Sequence, residues 1–456
     1  MMATATITAP RDTAKDKVPL RAWGVLAILI CFYLLSFLDK QMYALLITQI
    51  GAALDLQDFD LGVIQGVGFS GFYTAGVILV GWMVDRYSRR MILLVGVLFW
   101  SLCAAASGLT DSYWGLFMAR AGVGLGEAVM MPAALAIIAI TFPRSRLSFA
   151  TGIFFSGANL GGVVALLAGG TLIGQLVSMG EATWPVVGTL APWQAAFVLT
   201  GIPGALIAFL AFALPRGKGR KLDAGEVEEA VAPDAVGFLD YVRTHKAFLA
   251  GVMLCTGFLT MLAYTLIVWT AAYFERQFGW GHAEIGVIMA FGIAFGGLGN
   301  ILWGWTADWL RRKGYDDGLY RLFIGLTLIG FPIAYITFTT ESPTIAMIGY
   351  PLMWMFGNSF GPLLSAVPMG VPDHLRGRII GAKTFFTGLI GLSIAPMFVG
   401  ALTDFVFGDK AMLGYSMVVS ILIAGSLAIL AMLFTRRAFV AALREQDAVH
   451  AAKVAA

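Results

Sequence analysis

The sequence predicts an all-α membrane protein: twelve transmembrane helices arranged as two pseudo-symmetric six-helix bundles. Three observations carry this expectation. Apolar runs long enough to span a bilayer recur almost end to end, lysine and arginine concentrate on alternate loops, and two loop motifs recur at matching places in the two halves.

The chain has 456 residues, of which 59% are hydrophobic and 12% charged, with a mean hydropathy of +0.82. Soluble domains carry about 25% charged residues, so this chain has too little charge to cover a water-facing surface. A helix needs roughly 20 apolar residues to cross the hydrocarbon core. The alternative, a closed β-barrel, would read as short alternating segments rather than long continuous runs. The net charge of +3 is no signal for nucleic acid, because its meaning here lies in position rather than sum. Cys31, Cys103 and Cys255 each sit inside an apolar run with no partner at motif spacing, and read as small core hydrophobes. Residues 1–20 are polar and mixed in charge, so no cleavable signal peptide is expected.

Apolar runs predict helices over 21–47, 60–84, 90–109, 112–141, 147–175 and 193–214, then over 246–274, 284–308, 321–340, 343–371, 378–403 and 412–435. The organisation that follows is a tail over 1–20, a first bundle over 21–214, a connector over 215–245, a second bundle over 246–436 and a tail over 437–456. The connector holds Arg216, Lys218, Arg220, Lys221, Glu226, Glu228 and Glu229, with a short amphipathic helix expected around 236–245.

Orientation follows from basic residues, which accumulate on cytoplasmic loops. Of the 30 lysines and arginines, Lys40, Arg120 and Lys383 lie within helices, and only Arg276 and Lys410 fall in odd-numbered loops. The remaining 25 lie at the termini, in even-numbered loops and in the connector, while the odd loops carry Asp55, Asp58, Asp60, Asp111, Glu181, Glu341 and Asp409. Both termini are therefore expected in the cytoplasm, with the chain in a bacterial inner membrane.

Gly81-Trp-Met-Val-Asp85-Arg86-Tyr-Ser-Arg89-Arg90 after helix 2 and Gly304-Trp-Thr-Ala-Asp308-Trp-Leu-Arg311-Arg312 after helix 8 share the form G-W-x-x-D-x-x-R-R. A second pair follows helices 4 and 10, Phe142-Pro143-Arg144-Ser-Arg146 and Val371-Pro372-Asp373-His-Leu-Arg376-Gly-Arg378. Such duplication is a known transporter design. In the first motif a glycine permits close helix approach, an aspartate at a helix end can pair with an arginine, and the arginines anchor at an anionic leaflet. The motif reads either as a latch that breaks when the halves rock or as a charge cluster that only sets topology. With this motif the chain resembles the major facilitator superfamily along its whole length, which implies two bundles around a central cavity open alternately to either side.

Ionisable groups inside the membrane are costly and mark function by default. Helix 1 carries Asp39 and Lys40. Helix 4 carries Arg120 and Glu127, seven residues apart and hence on one face, with Gly122, Gly124 and Gly126 thinning the helix between them. Arg120 and Glu127 could form a structural ion pair, or Glu127 could face a cavity and bind a proton whose affinity depends on the arginine. Asp39 could pair with Lys40 at a cavity rim, but adjacent residues point about 100° apart, so Lys40 is expected to face elsewhere. Lys383 of helix 11 either attracts an anion into the cavity or snorkels to the nearby surface.

These residues resemble the spinster-type branch of the superfamily, which carries an Asp-Arg pair in helix 1 and R-x-x-x-G-x-G-E-A in helix 4. The helix 4 segment matches at Arg120, Gly124, Gly126, Glu127 and Ala128, whereas Lys40 stands where arginine is usual, replacing a bidentate donor by a point charge. The resemblance implies proton-linked movement of an organic or amphipathic anion, with Asp39 and Glu127 as protonation sites.

Tyr43, Gln65, Tyr73, Asn159, Tyr264, Trp269, Asn300, Trp354 and Asn358 are further polar or aromatic groups that could line the cavity. Tyr43, Trp269, Asn159 and Asn358 join Arg120 and Lys383 as candidate substrate contacts. His245, His282, His374 and His450 all fall outside the proposed helices, and no metal spacing or G-x-x-x-x-G-K-[ST] loop is present. Neither an enzyme, a metal site, a cofactor nor a primary pump is expected. The expected function is proton-coupled uptake of an organic, aromatic-type anion by a monomer in the bilayer; the alternative is efflux of a lysolipid-like or drug-like compound.

Overall fold

The computed structural model describes residues 18–185, 187–216, 237–357 and 360–455. Of the candidate site residues singled out above, Asn358 and the side chains of Asp85 and Asn159 lie outside the described part, as do the connector residues Lys218, Arg220, Lys221, Glu226, Glu228 and Glu229. Among the described residues eleven helices are long and apolar enough to span a membrane. In chain order these are helix 1 (Leu20–Ala53), helix 2 (Asp58–Val84), helix 3 (Arg89–Ser107), helix 4 (Tyr113–Thr141), helix 5 (Arg146–Met179) and helix 6 (Pro192–Ala213) in the first half. The second half has helix 7 (Lys246–Phe278), helix 8 (His282–Arg312), helix 9 (Gly318–Thr339), helix 11 (His374–Phe407) and helix 12 (Lys410–Val449).

The tenth helix is present but interrupted. An α-helix over Pro343–Gly357 gives way to a 3-10 turn over Gly361–Ser365 and a last α turn over Ala366–Gly370. Pro362 has no N–H to continue the ladder, and glycines flank the break. The Asn300 side chain of helix 8 accepts the Gly361 N–H at 2.8 Å, satisfying one freed backbone group. Asn300 thus caps the break while also lining a cavity beside helix 10 with Gly304, Pro362 and Phe439.

Helix 12 also departs from expectation, because it does not end near residue 435 but runs on through the tail. Arg436 and Arg437 mark where it leaves the apolar run. Beyond them it is held by Arg444 to Asp316 at 2.7 Å and by Asp447 to Arg311 at 2.9 Å. The connector helix forms over Phe238–Thr244, and buried Tyr241 donates to the Gly370 carbonyl at 2.5 Å. Between helices 5 and 6, Ala182–Trp184 pairs antiparallel with Gly188–Leu190.

The apolar core decides the shape. At the end of the molecule carrying the acidic loops, one continuous cluster joins both halves, from Leu46, Leu61 and Phe197 to Leu266, Trp269, Ile285 and Met417. At the end carrying the basic loops the core is divided. One cluster (Phe32, Phe69, Trp100, Val123, Ile137) belongs to the first half and another (Phe248, Leu259, Tyr320, Val367, Phe439) to the second. The halves are welded at the acidic face and separate at the basic face.

The weld needs very close backbones. Helix 2 has a π-helical stretch over Ile64–Gly71 and helix 11 another over Gly388–Ile394, and the two pack together. Gly66 lies directly against the Ser393 carbonyl, leaving no room for a side chain. Helices 5 and 8 meet in the same half of the membrane through Gly170 and Gly286.

Candidate functional site

The four charged groups predicted in helices 1 and 4 converge inside the first bundle, but in pairs the sequence did not indicate. Arg120 Nη1 donates to Asp39 Oδ2 at 2.8 Å, and Arg120 Nη2 to Gln65 Oε1 of helix 2 at 3.3 Å. Lys40 Nζ lies 2.6 Å from Glu127 Oε2. Ser36 Oγ donates to the same oxygen at 2.8 Å and accepts from Lys40 Nζ at 3.0 Å.

Two of the pairings left open by the sequence are excluded here. Arg120 and Glu127 do share a face, but they do not pair: seven residues rise about 10 Å along a helix, beyond the reach of a direct bond. Lys40 does point away from Asp39, as expected, and the two do not pair. Helical side chains lean toward the helix N-terminus, so the long stem of Lys40 reaches back to the level of Ser36, one turn earlier, where Glu127 lies. Helix 1 therefore supplies both an anion and a cation to helix 4.

Aromatic rings separate the pairs. Phe69 sits between them, with the Arg120 guanidinium 5.0 Å from its ring and the Lys40 ammonium 5.7 Å from it. Arg120 also faces Tyr43 at 5.0 Å and Phe197 at 5.9 Å, and Lys40 faces Tyr73 at 5.4 Å and Phe37 at 5.6 Å. Cations over ring faces are stabilised, the more so when desolvated. Gly124, pressed against the Phe69 carbonyl, lets helix 2 lie close enough to deliver that ring.

The pairs differ in access. The side chains of Arg120 and Glu127 are fully buried, whereas that of Lys40 is 20% exposed. Tyr264 of the second half is within electrostatic reach of Lys40. Asp39 Oδ1, Glu127 Oε1 and Arg120 Nε have no hydrogen-bond partner among the described residues. A purely structural buried ion pair would be expected to satisfy those atoms, so the quartet is built with spare acceptor capacity at both carboxylates.

The other candidates fall elsewhere. Tyr43 is fully buried, donating to the Leu61 carbonyl at 2.8 Å, and supports Arg120 from the acidic side. Trp269 is also fully buried and donates to the Pro396 carbonyl at 3.2 Å. Both lie in the welded core, so neither faces an open cavity in this state, contrary to expectation. Lys383 is buried rather than snorkelling, within electrostatic reach of Cys255, and has no ion pair among the described residues.

Among the described residues the loop motifs make no contact that bridges the halves. The Arg86 guanidinium stacks 4.2 Å from the Trp82 ring. Arg89 donates to the Ala136 carbonyl at 3.1 Å and Arg90 to the Phe212 carbonyl at 3.2 Å. Gly81 faces open space instead of a neighbouring helix, because the basic ends are apart. In the second motif Gly304 faces Pro362, Asp308 and Arg312 make no ion pair among the described residues, and Arg311 holds Asp447.

Sequence reasoning passed over Ser36 and Phe69 as site residues. Ser36 was findable as the residue four before Lys40 on one helix face; nothing in the sequence separates Phe69 from other aromatic residues.

The profile of the Major Facilitator Superfamily matches residues 29–396. An MFS-type efflux pump of Mycolicibacterium smegmatis is 28% identical over 402 residues, covering 87% of this chain and 88% of the relative. The cis,cis-muconate transport protein of Acinetobacter baylyi is 24% identical, covering 86% of this chain and 91% of the relative. A crystal structure of a bacterial homologue of the human lysosomal transporter Spinster, inward-facing and unoccupied, superposes with a TM-score of 0.74. It covers 94% of this chain and 98% of that one, and at 23% identity the likeness is one of fold.

Proposed function

This chain belongs to the Major Facilitator Superfamily, and from that premise we propose that it is a proton-coupled carrier importing an organic anion with an aromatic or flat apolar body. It works by alternating access as a monomer in the bacterial inner membrane, with the basic face and both termini in the cytoplasm. The bundles span 21–214 and 246–436, joined by a cytoplasmic connector over 215–245. The state described is then inward-facing, as in the Spinster homologue, since the split core faces the basic side.

The observation that carries the proposal is the Lys40–Glu127 pair at 2.6 Å. Lys40 is the partly exposed cation of the quartet, and a carboxylate already holds it. A proton arriving at Glu127 removes that charge and frees Lys40 for a substrate carboxylate. Proton and anion therefore bind together, as symport requires. Phe37, Tyr73 and Tyr264 around Lys40 suit a flat apolar body beside the carboxylate. Asp39 and Arg120 form the second, deeper proton-sensitive pair. The motif residues Gly81, Asp85, Arg86, Arg89 and Arg90, with Gly304, Asp308, Arg311 and Arg312, act as the basic-face latch in the opposite access state. Arg120, Lys383, Asn159, Asn358, Tyr43 and Trp269 remain the proposed substrate contacts, Tyr43 and Trp269 only once the acidic face opens.

Support for an organic anion comes from the muconate relative. The efflux-pump relative favours the second reading, proton-driven export of a lysolipid-like or drug-like compound. Proteoliposomes with an imposed proton gradient decide between them. Uptake of labelled carboxylates driven by an inward gradient supports import, and gradient-driven loss of a preloaded amphiphile supports export. Indifference of both fluxes to the gradient overturns proton coupling.

A further inference from the structure

The acidic face carries two basic residues in its loops, Arg276 and Lys410, against a background of acids. Both reach across to the other half. Arg276 at the end of helix 7 donates through Nη1 and Nη2 to Asp58 Oδ2 and Oδ1 of helix 2, at 2.6 and 2.7 Å. Lys410 at the start of helix 12 donates to the Leu56 carbonyl at 3.3 Å. The adjoining backbone is bound as well, with the Phe59 N–H donating to Asp404 Oδ2 of helix 11 at 2.6 Å. On the other flank, Gln49 of helix 1 meets His282 of helix 8 at 3.2 Å.

We infer that Arg276 and Asp58 form the lock that holds the acidic-face gate closed, with Lys410 and Asp404 bracing the same turn of helix 2. Among the described residues this is the one ion pair that joins the two halves; Lys40–Glu127 and Arg120–Asp39 lie in the first, and Arg311–Asp447, Arg321–Asp317, Arg436–Asp317 and Arg444–Asp316 in the second. Its geometry suits a lock. The contact is bidentate, the strongest form of an arginine–carboxylate bond, and the Asp58 side chain is fully buried while that of Arg276 is 15% exposed. Both groups become hydrated when the halves part, so the pair stabilises the closed face alone. The glycine-mediated weld beneath it, Gly62 and Gly66 against Pro396 and Ser393, supplies fit but no directional bond. A basic residue on a face otherwise kept acidic runs against the orientation rule, and bridging the gate is what these two positions have in common.

The inference rests on alternating access but not on proton coupling or on the substrate, and the test needs neither. Spin labels are placed at Ala53 and Ala411, exposed acidic-face residues of opposite halves, in the full chain with Cys31, Cys103 and Cys255 replaced by alanine. Distances are read by double electron–electron resonance in lipid nanodiscs. Arg276→Gln and Asp58→Asn should each move population to longer distances, raising the open fraction by at least about tenfold, what roughly 1.4 kcal/mol accounts for. Arg276→Lys should fall between, since a point charge cannot make the bidentate contact. Asp55→Asn, an exposed acid on the same face, should leave the distribution unchanged. A melting temperature and monodisperse elution confirm that each variant is folded. Unchanged distances in folded Arg276→Gln and Asp58→Asn, or an equal shift in Asp55→Asn, would overturn the lock. Failure of proton coupling at Glu127 leaves these distances as they are.

Discussion

Lys40 and Glu127, 2.6 Å apart, join helix 1 to helix 4 at the point where the charged quartet meets the space between the halves. Ser36 braces both, and Phe69 screens them from the deeper Arg120–Asp39 pair. The arrangement makes Lys40 available only when Glu127 lets it go, and the following expectations depend on it.

Glu127→Gln removes the proton acceptor while keeping the shape and a hydrogen-bond acceptor for Ser36. Proton-driven uptake in proteoliposomes should fall to background, while counterflow exchange, which needs no net proton movement, persists. Proton-driven uptake at the original rate in this variant would sink the role given to Glu127.

Lys40→Met keeps the stem over Phe69 and Tyr73 but deletes the charge. The half-saturation concentration for a transported anion should rise roughly tenfold to a hundredfold, the scale of one charge-assisted hydrogen bond at about 1.5–3 kcal/mol. Lys40→Arg should retain transport, because a guanidinium can reach Glu127 from the same position. Equal affinities in the original and Lys40→Met proteins would remove Lys40 from the substrate path.

Arg120→Ala leaves Asp39 buried without its cation. Breaking one side of a buried pair costs on the order of 3–5 kcal/mol, so the melting temperature should drop well below that of the unaltered chain. Adding Asp39→Asn should recover part of the loss, and a double-mutant cycle measures the coupling. Purely additive effects would show that the 2.8 Å contact is not what stabilises this region.

Asp317, in the loop between helices 8 and 9, tests the clasp on helix 12. Burial works to raise its carboxyl, but the bonds and charges of Arg321 and Arg436 outweigh that and hold it below the ordinary carboxylate range. A carboxyl depressed in the folded state contributes stability above its unfolded value of about 3.9, and that contribution is lost as pH falls through the folded value. Asp317→Asn should lower stability at neutral pH by about 1 kcal/mol or less, since both arginines are partly exposed. It should also flatten the decline in melting temperature below about pH 4. An unchanged acid limb in Asp317→Asn would place the acid sensitivity elsewhere.

Much of the fold was legible because lipid makes simple demands. Apolar runs located the helices, and the loop motifs marked the duplication. The interruption of helix 10 was not read, although Pro362 and its flanking glycines carry it; hydropathy averages across a local backbone fault. The extension of helix 12 was missed for the opposite reason, since Arg436, Arg444 and Asp447 look like solvated tail until their partners at Asp317, Asp316 and Arg311 are seen.

In the candidate site, Asp39, Arg120 and Glu127 stood out because charge in a membrane is costly wherever it points. Their pairing could not be read. It depends on the depth and rotation of helix 1 against helix 4, which no spacing within either helix reports. The same holds for Arg276 and Asp58, far apart in sequence but bonded through both nitrogens.

The sequence by itself determined a duplicated helical membrane protein and which charges lie inside its helices, because transfer to lipid acts on each residue in order along the chain. Only the tertiary structure decided which charges neutralise one another, which face is welded and which is split. Those depend on contacts between helices, where a few ångströms of approach past Gly66 or Gly124 decide the partner.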